Sequence, residues 1–297
     1  MTAKRHSDFF LWSVLLLAAA WPLLGGAVRG PAAVIALGGV VLLLGLPHGA
    51  LDLWLARRDR LWSDWPSFAV FHLAYIALAG LVVLAFVASP LAALLGFLVF
   101  SVWHFSDDWR HAPLATRLGC AGAVVIVPAL SHPAAVSGIF SAVTGEPVAL
   151  EGLPPALAIL GAFAVLGAIA SAFAFDRRMA AEAAGVALLA VALPPLVFFA
   201  VYFTLLHSPR HLLRHRGELR RGVGSVLLYT LAALAAVIAL GALLWRFAPA
   251  DLSDSTIRAV FIGLAALSVP HGALIEFDRR AAQRGLPLFA ASANPRP

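Results

Sequence analysis

Ser67-Phe-Ala-Val-Phe-His-Leu-Ala-Tyr-Ile-Ala-Leu-Ala-Gly-Leu-Val-Val-Leu-Ala-Phe-Val-Ala88 runs for 22 residues without an Asp, Glu, Lys or Arg. About 20 apolar residues wound as a helix cross the ~30 Å hydrocarbon core of a bilayer. The stretch is apolar on every side, so it does not alternate as a membrane β-strand does. Similar runs fall at 9–28, 32–56, 90–106, 116–139, 154–175, 223–246 and 256–276. Composition agrees: 62% of the 297 residues are hydrophobic and 12% charged, against about a quarter charged in a typical soluble domain. With lipid as the solvent, backbone polar groups must pair inside helices. The expectation is an all-α, polytopic transmembrane helical bundle of about 8–10 membrane helices, folded as a single integral membrane domain over 1–297.

One region resists simple counting. Residues 180–213 are mostly apolar but broken by Pro194-Pro195, and proline interrupts a helix by steric clash and a missing donor. Arginine placement separates one kinked helix from a short hairpin. With a cytoplasmic N-terminus and a hairpin, only Arg29, Arg246 and Arg258 of the 21 basic residues lie outside. That is a strong positive-inside bias. A kinked helix puts the Arg210–Arg221 cluster on the wrong side. The hairpin reading therefore gives a multi-pass protein of the cell inner membrane with both termini cytoplasmic, and it makes the arginine clusters topology and headgroup signals. The formal charge of +6 is explained this way without nucleic acid. The basic, apolar start of the chain has no clear small-residue cleavage site and reads as a first membrane helix. Cys120 is the only cysteine, which excludes an internal disulfide and a thiolate cluster.

Chemistry concentrates in four segments: Gly45-Leu-Pro-His-Gly-Ala-Leu-Asp52, Trp103-His-Phe-Ser-Asp-Asp108, His207-Ser-Pro-Arg-His211 and Val269-Pro-His-Gly-Ala-Leu274. Pro-His-Gly-Ala-Leu occurs twice, at 47–51 and 270–274. Under the hairpin topology His48, His104, His207, His211 and His271 all fall toward the cytoplasmic ends of their helices. Ionisable groups within a membrane usually face a partner, a cavity or a metal. His207 and His211, four apart, share one face of a continuous helix. Asp52 and Asp108 follow His48 and His104 by four. Each is placed to accept the ring N–H not used for a metal, fixing tautomer and orientation. His271 reads as a further ligand, as a residue orienting the ligands from behind, or as a structural echo of the first motif, and the glycines after His48 and His271 allow close approach.

Imidazoles suit iron, zinc, copper or nickel, and spacing alone does not choose. Four of them on iron(II) would leave two octahedral positions open. The remaining histidines read as structural or solvated: His72 as an interhelical contact beside Tyr75, His132 as structural, and His6, His111 and His215 as solvated. Asp107 reads as an exposed helix-end carboxylate, and Trp54, Trp103 and Trp109 as belt residues at headgroup level. Two other functions compete with a mononuclear oxygenase. A di-iron membrane hydroxylase or desaturase needs more histidine boxes than this one. A histidine-lined metal or proton transporter spreads its ionisable groups through the membrane depth. A metalloprotease lacks its His-Glu-x-x-His. A retinal-binding opsin lacks its lysine, since Lys4 is the only one.

At these motifs the chain resembles the Brp/Blh family, the microbial membrane β-carotene 15,15′-dioxygenases, in motif order and hydropathy over most of its length. Gly-x-Pro-His-Gly-Ala-x-Asp is the most specific part, Trp-His-Phe the next. The resemblance implies iron(II), Fe(2+), on His48, His104, His207 and His211. It also implies a carotenoid and dioxygen as reactants, cleavage at the central 15,15′ double bond, and retinal as product. Trp-His-Phe-Ser-Asp-Asp differs from the Gly and acidic residue that follow Phe in many members. That leaves the ligand in place and bears on substrate range. The expected substrate site is a dry tunnel of Phe, Trp and Leu, entered from the bilayer.

Overall fold

Proline and aspartate decide where most helices begin. The computed structural model describes residues 2–25, 30–247 and 249–283, and their regular elements are all helical. α1 is Ala3–Leu24, α2 Gly30–Gly49, α3 Asp52–Arg58, α4 Trp65–Ala88 and α5 Pro90–Phe105. α6 is Leu114–Ser131, α7 Pro133–Thr144, α8 Pro155–Phe175, α9 Arg177–Ala192 and α10 Pro195–Tyr202. α11 is Ser208–Arg214, α12 Arg216–Arg221, α13 Val223–Phe247 and α14 Leu252–Gln283. Pro90, Pro133, Pro155 and Pro195 each stand in a first turn, where a missing N–H costs nothing. Asp64 caps α4 by accepting the Ser67 N–H at 2.9 Å, and Asp176 caps α9 by accepting that of Arg178 at 2.8 Å.

Nine helical runs among the described residues are long and apolar enough to cross a membrane, Gly30–Arg58, Pro90–Trp109 and Pro195–Arg214 counting as one each. Their outer faces show it: Val70, Leu73, Ile76, Leu81 and Leu84 on α4 are each more than 60% exposed. A contiguous apolar face of that size belongs against lipid. The protein is thus a multi-pass helical bundle. α6 packs closely on α8 and α9, and α14 on α2, α4, α7 and α13. At the α6–α8 contact Gly119 lies directly against Ala168, the small-residue contact that lets membrane helices approach.

The region around Pro194-Pro195 is a hairpin. Arg178 at the start of α9 bonds Asp8 and the Lys4 carbonyl on α1. Val191 near the end of α9 bonds His132. The chain then reverses, and Arg210 on α11 donates to Glu182 on α9 at 2.7 Å. One kinked helix would hold Arg210 and Glu182 far apart, so the two-limbed reading stands. The arginine cluster is only partly a surface patch, however. Arg210 and Arg214 turn inward to Glu182 and Asp107, while Arg216, Arg220 and Arg221 stay exposed.

Two spans break where the sequence reading ran them through. The run 116–139 divides at His132, because a residue before proline is pushed out of the helical region, and α7 starts afresh at Pro133. The run 32–56 breaks after Gly49, so His48 and Asp52 lie on different helices. Arg29 and the end of the 9–28 run lie outside the described residues.

Candidate metal centre

Five histidines from four parts of the chain meet in the interior: His48 at the end of α2, His104 near the end of α5, His207 and His211 on the limb after Pro195, and His271 inside α14. All are at most 9% exposed. Ring centroids lie 5.2 Å apart for His48–His207, 5.6 Å for His48–His211 and 4.9 Å for His104–His207. His271 stands 5.0 Å from His48, 5.2 Å from His104 and 5.1 Å from His211.

Each element presents its ring for a local reason. The His48 Nδ1–H donates to the Gly45 carbonyl one turn back, which leaves Nε2 as the outward lone pair. Gly45 has no Cβ because the Phe203 ring occupies that space. The backbone widens into a π-helical turn over Phe203–His207, a feature that tends to mark functional positions. Pro209 offers no N–H to the Leu205 carbonyl, and the His6 Nε2–H donates there instead at 2.9 Å. His6 is therefore a buried helix-to-helix clamp, not a solvated residue.

The carboxylates are present but serve other rings than their spacing suggested. Asp108 accepts the His207 Nδ1–H at 3.1 Å, and Asp52 accepts the His271 Nδ1–H at 2.7 Å. A tyrosine holds each acid: Tyr202 donates to Asp108 at 2.8 Å and Tyr75 to Asp52 at 2.9 Å. The break after Gly49 and the tight 3-10 turn Ser106–Trp109 explain the exchange. Neither aspartate continues the helix of the histidine four residues before it. Two Tyr–Asp–His chains thus reach the cluster, one from α4, α3 and α14, the other from the α10–α11 limb and the turn after α5. Asp107 pairs with Arg214.

Several outer residues lie elsewhere than the sequence implies. His215 is buried with its ring 4.6 Å from His211, and burial, aided by Arg214 and Arg58, pushes it down to about 4, so it is neutral. Trp109 is 3% exposed and inside the core, unlike Trp103, which is 39% exposed under the Arg279 and Arg117 guanidinium groups. His111 is exposed as expected. His72 bonds the Tyr229 hydroxyl at 2.7 Å, the anticipated interhelical contact.

The donors fit a cation. Nitrogens of His48, His104 and His207 all lie within 4.8 Å of one another, close to the ~4 Å that two bonds of ~2.1 Å to one ion span. The Nε2 atoms of His211 and His271 are buried without a hydrogen-bond partner, an arrangement that costs ~1–3 kcal/mol each when nothing fills it. The two buried carboxylates add the negative charge a divalent ion needs. Imidazole donors without thiolate suit iron, zinc, copper or nickel.

Beside His48 and His271 lies a cavity of about 90 Å³, walled by Leu46, Tyr75, Phe203, Leu264 and Leu267. Gly49 opens onto it, with nothing within 4 Å of where a Cβ would stand. Among the described residues its other walls are Ala50, Tyr229, Ala233 and Ser268, without the expected tryptophan. Stacked rings lead away from it: His207 on Phe203 at 5.4 Å, Phe203 on Phe199 at 5.4 Å, and Phe199 on Phe261 at 5.6 Å.

The profile of the family described as beta-carotene 15,15'-dioxygenase matches residues 39–277. The chain is 30% identical over 258 residues to a beta-carotene 15,15'-dioxygenase of uncultured marine bacterium 66A03, covering 80% of this chain and 91% of that one. It is 27% identical over 323 residues to the probable beta-carotene 15,15'-dioxygenase Blh of Halobacterium salinarum, covering 94% of each. No solved structure matches.

Proposed function

The chain belongs to the beta-carotene 15,15'-dioxygenase family, and on that premise we propose that it cleaves the central double bond of β-carotene to two molecules of retinal. The resident metal is iron(II), bound by His48, His104, His207 and His211. The observation that carries this reading is the meeting of these buried rings, with Nδ1 of His48 and His207 anchored away from the centre. Iron(II) supplies the activation of dioxygen. The overall reaction balances without an external reductant: one double bond and one dioxygen become two aldehydes, each taking one oxygen atom.

The chain's own residues do the rest. The imidazoles bind the metal, and Asp108, held by Tyr202, fixes the His207 tautomer rather than moving a proton. Phe203, Leu264 and Leu267 keep water from the face of the cavity that meets His48. Its volume of about 90 Å³ is far too small for a whole C40 carotenoid. It therefore seats one segment of a polyene, and the arms of the substrate lie along the helices or among lipid acyl chains. Entry from the bilayer past Tyr229 and Ala233 of α13, which border this cavity, matches a substrate that is nearly insoluble in water. A single histidine cluster at one end of the helices favours this reading over two irons or an ion path through the membrane.

Expressed in β-carotene-producing cells, the protein should bleach the orange colour and yield retinal on chromatography, and anaerobiosis or iron chelation should stop it. Intact carotenoid beside folded, iron-loaded protein would overturn the substrate assignment. We also place both termini and the Arg216–Arg221 segment in the cytoplasm, within the inner membrane of the cell. Reporter fusions after Arg178 and after Arg221 should then report the same side, and opposite sides would undo that topology.

A further inference from the structure

The second Pro-His-Gly-Ala-Leu copy places His271 in the same cluster as the four histidines assigned above, and four observations bear on its role. Its ring is 2% exposed and contacts three of the other histidines at centroid distances of 5.0–5.2 Å. Its Nδ1–H donates to Asp52 at 2.7 Å, which fixes the tautomer and leaves the lone pair on Nε2. That Nε2 is buried with no hydrogen-bond partner. Asp52 is itself buried, and its side-chain hydrogen bonds are to Tyr75 and His271. Nothing here suits a merely structural histidine. A packing role would satisfy both ring nitrogens, as His72 does with the Phe68 carbonyl and the Tyr229 hydroxyl.

The alternative charge state fares no better. A protonated ring would balance Asp52, but its Nε2–H would have no acceptor in the interior, and an unmade buried hydrogen bond is costly. A divalent ion beyond Nε2 resolves both features at once, by taking the lone pair and by placing positive charge near Asp52. His207 has the same Tyr–Asp anchor on its Nδ1, through Asp108 and Tyr202, and its Nε2 lies 3.2 Å from the His104 Nε2.

The geometry points to His271 as a fifth nitrogen ligand of the metal, positioned by Asp52 and Tyr75. This rests on the reading that the cluster holds a metal, and it raises the protein donors from four to five. A carotenoid hydrocarbon has no donor atom to offer, so substrate has no need of a second open position. The polyene is positioned by the apolar walls alone.

Activity alone does not test this, because loss of a residue behind a ligand also lowers metal affinity, by about 10–100-fold. The discriminating measurement counts ligands. X-ray absorption on wild-type protein purified in detergent and loaded with iron(II) or cobalt(II) should give imidazole scattering for five rings rather than four. With cobalt(II), His271→Ala should bind at least tenfold more weakly, and its visible d–d bands should change in position and intensity as the donor number falls. Free imidazole should restore both the affinity and the wild-type spectrum. Should His271→Ala fail to elute as a folded species, the count on the wild type and the His271→Gln spectrum decide. A wild-type count of four rings, or a folded His271→Ala with an unchanged cobalt spectrum, would overturn the fifth ligand while leaving a metal-bound enzyme. Wild-type protein that takes up no iron or cobalt would sink the metal reading and this inference with it.

Discussion

Pro47-His48-Gly49-Ala50-Leu51 and Pro270-His271-Gly272-Ala273-Leu274 are the same five residues, and the molecule uses them in opposite ways. The first ends α2: its histidine is tied to a carbonyl of its own helix, and its glycine opens onto a cavity. The second lies within the unbroken α14: its histidine is tied to an acid of α3, and its glycine is pressed against the Phe100 ring. The acid that follows the first copy serves the histidine of the second, while Ile275 stands at the corresponding place after His271. Local sequence thus supplies a ring on a turn. Tertiary neighbours decide what anchors it and what the glycine is for.

The largest effect should come from Asp52→Ala. It should weaken metal binding by about 10–100-fold, the range for removing the orienting partner of a ligand. The sharper test is a double-mutant cycle. If Asp52 acts through His271, Asp52→Ala should cost little further affinity in a His271→Ala background and its full amount in a His48→Gln background. The reverse pattern would return Asp52 to His48, as the four-residue spacing suggests.

That spacing shows where the sequence was legible and where it was not. The spans, the hairpin and the meeting of histidines were readable, because hydropathy and arginine placement obey the bilayer, which acts on every helix alike. Pro194-Pro195 and the Arg210–Arg221 cluster sufficed to predict a reversal that Arg210 and Glu182 then close. The Asp52–His271 bond spans 219 positions and leaves no local trace. The four-residue rule also presumed a continuous helix, which Gly49 ends. His6, His215 and Trp109 sit near helix ends, where sequence suggests solvent for the histidines and the headgroup layer for the tryptophan, but neighbouring helices cover them. One missed signal was readable: Pro133 marks the break at His132, since the residue before proline avoids the helical region.

The smallest effects should come from the paired glycines, and their contrast is diagnostic. At Gly272 a new Cβ would meet the tip of the Phe100 ring at 2.6 Å. The ring is the far end of a side chain that can give, so Gly272→Ala should destabilise near the lower end of the ~1–3 kcal/mol typical of overpacking. Phe100 stacks on His104 at 5.8 Å, so a small change in the cobalt spectrum should accompany the lower melting temperature. At Gly49 a Cβ meets nothing within 4 Å, and alanine is favoured in a helix by up to ~1 kcal/mol. Gly49→Ala should therefore hold or raise the melting temperature and leave metal content unchanged. Its methyl group would instead enter the cavity beside His48, and kcat/KM for β-carotene should fall several-fold, mostly through KM. Thermal unfolding, metal content and steady-state kinetics on the two variants separate these outcomes. Equal stability loss at both sites would mean that the copies are packed alike. Unchanged kinetics in Gly49→Ala would remove this cavity from the substrate path and direct attention to the Phe199–Phe261 side of the aromatic stack.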